Sequence, residues 1–165
     1  MRNKTLKTLI ACWILLIAAC TSIDCPVENR VYTVYELRKA DGSADTLTYD
    51  TLSITTKRAD GTDSLLKNKL TYFTDYDLEI SYTQPEDVFY YTLLDTLGNT
   101  YHDTVYVEKE DIQHFESVDC QPAYFHKLTG VRSTHHIIDS IVINRTTVNY
   151  NATEEHFHIY FKDRY

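Results

Sequence analysis

The sequence predicts an all-β domain folded as an antiparallel β-sandwich, with a small β-barrel as the alternative. From residue 31 onward the chain is rich in Thr, Tyr, Val, Ile and Phe, which favour the half-buried surface of a sheet. Short segments of alternating polarity are separated by turn residues, as is typical of all-β proteins. No window shows the sustained 3.6-residue periodicity that would indicate an amphipathic helix in the domain.

Residues 1–19 precede this domain and are predicted to be a secretory signal peptide in the form of a helix. Arg2, Lys4 and Lys7 make its start positive, and Leu6–Ala19 is almost wholly apolar. This apolar run is shorter than the roughly 20 residues that a helix needs to cross a bilayer. Its length and its positive flank are typical of a signal peptide.

The apolar run ends in Ile-Ala-Ala-Cys at residues 17–20, which resembles the lipobox of bacterial lipoproteins. In lipoproteins with this motif the signal is cut before the cysteine, whose thiol carries a diacylglyceryl group. The resemblance implies a lipid anchor on Cys20, and two or three acyl chains hold a protein stably to a membrane. Residues 20–29 are then a short tether, and residues 30–165 a single domain. The alternatives are an ordinary signal peptide with a chance cysteine and an anchor that is never cut.

Two cysteines remain in the mature chain, because Cys12 leaves with the signal and Cys20 takes the lipid. Exported proteins meet oxidising compartments, so we predict a disulfide between Cys25 and Cys120. It would close a loop of about 95 residues. Two free thiols are the alternative. A metal site is disfavoured because two lone cysteines supply half of a tetrahedral shell.

In the first half of the domain, Val31–Leu37 is predicted as the opening strand. Residues 40–43 and 59–62 each contain Asp-Gly and predict turns, the second one within a β-hairpin. The alternation of apolar residues slips near Asp50, which indicates a bulge or a bend. Residues 78–82 alternate again and predict a further strand.

In the second half, Val88–Leu94 is apolar at both parities and predicts a central strand. Tyr101–Glu108 follows as a strand, and residues 108–111 are predicted as a polar turn. The next stretch, residues 112–128, is the least regular one, and residues 121–127 are compatible with one helical turn.

Gly130 is assigned to a turn, and the last two strands are predicted at Ile137–Ile143 and His156–Phe161. All four glycines are thereby placed in turns, which leaves none for a phosphate-binding loop. About eight to ten short strands around one core favour a sandwich in the immunoglobulin-like or Greek-key style.

Charge and motifs exclude several function classes. Without residues 1–19 the chain keeps 13 of its 16 basic residues and all 24 acidic residues, a formal net charge of −11. Such a chain does not bind nucleic acid or an anionic surface through bulk charge. No Gly-x-Ser-x-Gly occurs, and no cysteine has an evident histidine partner for catalysis. We therefore expect no catalytic residue, no enzymatic activity, no cofactor and no nucleic-acid partner.

His156 and His158 are the candidates for a metal site, because residues two apart on a strand share one face. The simpler interpretation is an exposed polar face opposite Phe157, Ile159 and Phe161, so no metal site is predicted. Fourteen tyrosines, none of them in the signal, have two explanations. They suit strands, and they are also common in binding surfaces.

Several motifs together resemble a family of Bacteroidota lipoproteins of unknown function. They are Cys25-Pro26, Val31-Tyr32-Thr33, Asp103-Thr104-Val105-Tyr106-Val107, Phe115-x4-Cys120-x-Pro122-Ala123-x-Phe125-His126, Ile138-Asp139-Ser140-Ile141-Val142-Ile143 and Val148-Asn149-Tyr150. The resemblance covers nearly the whole mature chain, and Cys-x-Pro-Ala-x-Phe-His is its most specific part. It implies a lipoprotein with a β fold and paired cysteines, located at the outer membrane. It implies no catalytic residue.

These inferences predict a lipid-anchored protein of the cell envelope that acts as a non-catalytic binding or scaffolding module. It would touch the membrane through the lipid on Cys20 and meet other envelope proteins through its surface. The side of the outer membrane that it faces is left open. The alternative functions are a lipoprotein that binds a small ligand or a metal, and an envelope hydrolase.

Overall fold

The computed structural model describes Cys25, residues 30–151 and residues 153–162. The predicted signal peptide and Cys20 lie outside these residues. Within them the chain is all-β, with ten strands and no helix, and its two sheets pack face to face as a β-sandwich. The predicted fold class is confirmed. No helix in this part of the chain is long and apolar enough to span a membrane.

The smaller sheet has four strands in the order β4-β1-β10-β8, and the larger has six in the order β3-β2-β5-β6-β7-β9. The strands are β1 (Tyr32–Leu37), β2 (Thr51–Lys57), β3 (Asp63–Leu70), β4 (Asp75–Glu79), β5 (Glu86–Leu94), β6 (Thr100–His114), β7 (Ala123–Ser133), β8 (Ile138–Ile143), β9 (Thr147–Val148) and β10 (Phe157–Phe161). As predicted, the strand at Val88–Leu94 is central, since β5 lies between β2 and β6.

In the larger sheet, buried and exposed residues alternate along the strands, and glycines with positive φ lie in the turns. Phe89, Tyr91 and Leu93 of β5 are buried in the core, while the residues between them are partly exposed. Gly61 and Gly98 have φ of 81° and 87°, in the left-handed region that favours glycine, and they close the β2–β3 and β5–β6 turns. The predicted hairpin at residues 59–62 is therefore confirmed.

The smaller sheet contains a pairing that the sequence did not predict. The last strand, β10, lies parallel to β1 and antiparallel to β8, with Tyr35 in register with Phe157. The Tyr35 ring stacks on Phe157 at 4.7 Å and on Tyr76 at 5.1 Å between centroids. The hydroxyls of Tyr76 and Tyr91 share a hydrogen bond of 2.9 Å, which joins the two sheets across the core.

The predicted turn at residues 108–111 and the predicted helical turn at residues 121–127 are both wrong. β6 continues to His114 and pairs with β7, which begins at Ala123. The polar sequence is compatible with a strand because Glu108, Glu110 and Asp111 are exposed and only Lys109 is buried. Gly130 lies inside β7, and a Cβ there would come 2.8 Å from Oε2 of Glu108. It is not a turn residue.

The register of the larger sheet defines two ends of the molecule. At the distal end, β2 begins beside the end of β3, and β5 turns into β6; the pair of Leu94 with Thr100 lies there. At the opposite end, which we call the hairpin end, β6 and β7 continue beyond the pair of Glu86 with Glu108. The connection between β6 and β7, residues 115–122, closes this end.

Candidate functional site

The predicted disulfide is present between Cys25 and Cys120, whose Cα atoms are 5.5 Å apart. Cys120 lies in the connection between β6 and β7 and is buried. The bridge therefore fastens the segment before β1 to the hairpin end. The predicted lipidation site, Cys20, precedes Cys25 by five residues and lies outside the described part of the chain.

His156 does not lie on an exposed face with His158, as the alternation suggested. It is buried, and its Nδ1 accepts a hydrogen bond from the Val34 amide at 3.1 Å. Its Nε2 then carries the proton and donates to the Thr147 carbonyl at 3.2 Å. Burial lowers the pKa of the imidazole below its ordinary value. Both ring nitrogens are engaged, so His156 fastens β10 to β1 and is not free to bind a metal.

His158 meets two carboxylates instead. It is in register with Glu36 on the neighbouring β1, and its Nε2 lies 3.6 Å from Oε2 of Glu36 and 3.7 Å from Oε2 of Glu155. The ligand atoms of these three residues all lie within 4.8 Å of one another. Arg38 forms ion pairs with both glutamates, at 3.5 Å to Glu155. We call these four residues the Glu–His cluster.

The Glu–His cluster has the ligand atoms of a cation site, but the guanidinium of Arg38 competes with a metal ion for its carboxylates. One imidazole and two carboxylates are ligands that zinc accepts. Glu36 Oε2 and His158 Nε2 are shielded from solvent and make no hydrogen bond within the described residues. The guanidinium of Arg38 already balances one carboxylate, so a divalent ion would have to displace it.

The hairpin end contains a network of charged side chains around buried Lys109, which the sequence pattern did not predict. Lys109 is fully buried, and its Nζ donates to Asp111 at 2.8 Å and to the Gln84 carbonyl at 2.7 Å. Nδ1 of His126 donates to the same Asp111 oxygen at 2.7 Å. Oδ2 of Asp87 lies 3.9 Å from Nζ of Lys109. The network satisfies these charges internally, which is the condition for burying them.

The sequence contains a pattern that predicts an inward-facing side chain at Lys109. Val105, Val107 and Lys109 are evenly spaced two apart, and all three side chains are buried. The register shift in the β6–β7 ladder leaves Thr129 without a partner, which changes the inward parity of β7 beyond Leu128. Extending the alternation of the two valines by one step would have placed Lys109 inward.

The distal end carries a small cavity of about 220 Å³. It is lined by Asp50, Leu93, Asp95, Tyr101, His136, Ile137 and Lys162. Pockets for drug-sized ligands begin at roughly 300 Å³, so this volume suits a small polar molecule or one side chain of a partner. Oδ2 of Asp95 accepts a hydrogen bond from the Tyr101 hydroxyl at 3.3 Å at its rim.

Exposed tyrosines also mark the distal end. Tyr49 precedes β2 and Tyr72 follows β3, and they are 74% and 76% exposed. Tyr101, at the start of β6, is also exposed. The antiparallel register of β2, β3, β5 and β6 brings all three to the same end of the larger sheet.

A second cleft, of about 400 Å³, lies at the hairpin end between the β2–β3 hairpin and residues 81–84. Asp87 borders it, and burial raises the pKa of this carboxyl to about 6. Its two oxygens accept hydrogen bonds from the Ser81 amide at 3.1 Å and the Gln84 side chain at 3.4 Å. Asp87 therefore holds the connection between β4 and β5.

Comparison with known proteins assigns most of this chain to one family. The pattern of a family of unknown function, DUF6452, matches residues 51–161, about two thirds of the chain. The match runs from the start of β2 to the end of β10 and includes Cys120, whereas Cys25 and β1 precede it. No curated protein and no solved structure matches the chain. The chain belongs to the DUF6452 family of unknown function.

Proposed function

We propose that this protein is a bacterial lipoprotein of the Bacteroidota outer membrane, held by lipid on Cys20, whose β-sandwich is a non-catalytic binding module. The observation that carries the proposal is the Cys25–Cys120 disulfide, five residues beyond the lipobox-like motif. Disulfides persist in exported proteins, and this one fits the export signal that precedes it. The lipobox-like Cys20 then supplies the anchor.

The distal end is the binding surface that we propose for another envelope protein. It lies opposite the end that the disulfide fastens to the tether, so it is the end directed away from the membrane. Tyr49 and Tyr72 offer contact area and a hydroxyl at a low cost in conformational entropy. The adjacent cavity is of a size to receive a partner's side chain.

Fractionation of the host tests the anchor. We expect Cys20→Ser to move the protein from the membrane fraction to the soluble fraction or to stop its processing. Cys12→Ser is the matched control, since it changes a cysteine that is removed with the signal, and it should stay in the membrane fraction. If Cys20→Ser is cut and still fractionates with the membrane like the unchanged protein, the lipid anchor is refuted.

Site-specific photo-crosslinking in intact cells tests the binding surface. A photoreactive residue in place of Tyr72 is expected to give a discrete cross-linked band. The same residue in place of Leu65, which is also exposed on β3 but away from the distal end, is the control. Equal cross-linking from both positions, or none from Tyr72, would count against the distal end.

The Glu–His cluster favours a second candidate function, the binding of a divalent metal ion. A ligand that binds the folded state raises the melting temperature. Zinc is therefore expected to raise the Tm of the unchanged protein and not that of His158→Ala. His102→Ala, which removes an exposed histidine from the other sheet, is the control and should keep the shift. A shift that survives His158→Ala would exclude this cluster as the site.

A further inference from the structure

The β6–β7 hairpin ends in exposed apolar side chains. Ile112 is 48% exposed, Phe115 is 56% exposed and Val118 is 97% exposed. Ile112 lies near the end of β6, and the other two lie in the connection that follows it. We call residues 110–122 the hairpin tip. Its apolar groups extend past the end of β5, so no strand of the larger sheet other than β7 pairs with this part of β6.

Aromatic contacts support the outer face of the hairpin next to the tip. Phe125 is in register with Ile112, and its ring stacks on His114 at 4.3 Å between centroids. The Tyr150 ring meets Phe125 edge-on at 4.9 Å and is itself partly exposed. The face that bears Ile112 is therefore a packed surface of apolar and aromatic groups.

The disulfide puts the hairpin tip close to the proposed lipid. Cys25 is bridged to Cys120 within the tip, and five residue steps separate it from Cys20. A fully extended chain covers at most about 3.6 Å per residue, so Cys25 lies within roughly 18 Å of the lipidated residue. The 15 residues of β6 span roughly 50 Å at about 3.3 Å each, so the tether holds the tip, and not the distal end, close to the lipid.

We propose that the hairpin tip rests on the membrane, with Ile112, Phe115 and Val118 in the interfacial region of a zwitterionic bilayer. This inference rests on the lipid anchor proposed for Cys20. The tip is the apolar surface that the tether brings nearest to lipid, and apolar and aromatic side chains favour that region. Glu116 and Asp119 lie among the apolar residues, so neutral headgroups fit the tip and anionic ones repel it.

Tryptophan fluorescence tests the orientation, because the only tryptophan of the chain, Trp13, leaves with the predicted signal. Phe115→Trp is a conservative reporter at the tip. Leu97→Trp is the matched control, since Leu97 is 85% exposed in the β5–β6 turn at the distal end. Each full-length variant is purified from the host, its mass is measured, and it is reconstituted into phosphatidylcholine vesicles with brominated acyl chains.

The expected result is a blue shift and a loss of emission for Phe115→Trp in brominated vesicles, and neither for Leu97→Trp. Adding Val118→Glu to Phe115→Trp should reduce the loss of emission, and residue 118 is too exposed for this change to disturb the fold. Replacing part of the lipid by phosphatidylglycerol should reduce it as well.

The results that would contradict the placement of the tip can be distinguished from those that would contradict the lipid anchor. If the mass includes the acyl chains and both reporters respond alike, the tip does not face the membrane, although the anchor stands. If the mass lacks acyl chains, the proposed lipid anchor fails and the inference fails with it. A blue shift without bromine quenching, which grows with protein concentration, would show that a second copy of the chain covers the tip.

Discussion

Two buried aspartates show how hydrogen bonds decide the charge of a carboxyl group. For Asp103, burial acts to raise the pKa, but hydrogen bonds from Thr134 and from the amides of Ile138 and Ile137 outweigh it and hold the pKa below its ordinary value. Asp87 accepts fewer hydrogen bonds, so burial prevails and raises its pKa to about 6, although Lys109 lowers it in part. Asp103 is therefore stabilised as a carboxylate, and Asp87 is not.

Asp87 gives a pH dependence of stability with a definite sign. Folding raises the pKa of Asp87 from 3.8 to about 6. The stability that this group contributes is therefore fully present below about pH 4 and is lost as the pH rises through 6. Asp87→Asn removes this loss. We expect the free energy of unfolding of Asp87→Asn, minus that of the unchanged protein, to be about 2 kcal/mol larger at pH 7 than at pH 4.5, so that the variant gains stability relative to the unchanged protein as the pH rises.

Urea denaturation of both proteins at the two pH values measures this difference. The comparison at each pH cancels the contributions of His126 and His156, which both proteins share and whose pKa values burial lowers. If the relative stability is the same at both pH values, Asp87 does not titrate with a raised pKa.

At the residue scale, the sequence predicted only those features that depend on residues close to each other in the chain. The Asp-Gly turns follow from local backbone preference, and Gly42 and Gly61 have the positive φ that such turns need. His156 could not be placed, because its ring bonds to Val34, 122 residues away, across a parallel strand pair. Alternation describes one strand and carries no information about its neighbour.

At the scale of elements, the β6–β7 hairpin departs most from what its sequence suggests. Residues 108–111 are polar at both parities, which resembles a turn, yet β6 is paired with β7 over ten residues from Val105 to His114. Buried Lys109 supports it from within by bonding to Asp111 and to the backbone of Gln84. The hairpin is therefore held by a polar network as well as by the core residues Leu128 and Val148 beside it.

Lys109→Met tests this support. Removing one partner of a buried ion pair costs about 3–5 kcal/mol, since Asp87 would keep a buried charge without its cation and the partly exposed Asp111 would lose its bond to Nζ. Chemical denaturation should show a loss of that size. Lys127→Met is the control, because Lys127 makes an exposed pair with Glu110 at 3.9 Å on the same hairpin. An exposed pair contributes about 0–1 kcal/mol, so equal losses from both variants would refute a special role for Lys109.

The disulfide is the second support of this element. On the chain-entropy model, a bridge across 95 residues stabilises a protein by about 4–5 kcal/mol, and measured values are commonly lower. We expect the double variant Cys25→Ser, Cys120→Ser to lose about 2–4 kcal/mol in urea denaturation. Reduction of the unchanged protein should give the same loss. An unchanged midpoint on reduction would contradict a stabilising bridge.

At the scale of the whole molecule, the sandwich was predictable and its topology was not. Periodicity and turn residues give the number and the approximate places of the strands, because both are local. The insertion of β10 between β1 and β8 is a contact between the two ends of the chain, and so it has no local signature. The two ends of the molecule, one bearing the disulfide and one bearing Tyr49 and Tyr72, follow from that topology and register.

The proposal of a sandwich that is lipid-anchored at Cys20 and bridged between Cys25 and Cys120 can be tested in one experiment. Its most direct test is the intact mass of the protein extracted from host envelopes, with and without reduction and alkylation. We expect a mass of residues 20–165 plus acyl chains, with alkylation only after reduction. A mass of the uncut chain, or of a cut chain without lipid, would contradict the anchor, and alkylation without prior reduction would contradict the bridge.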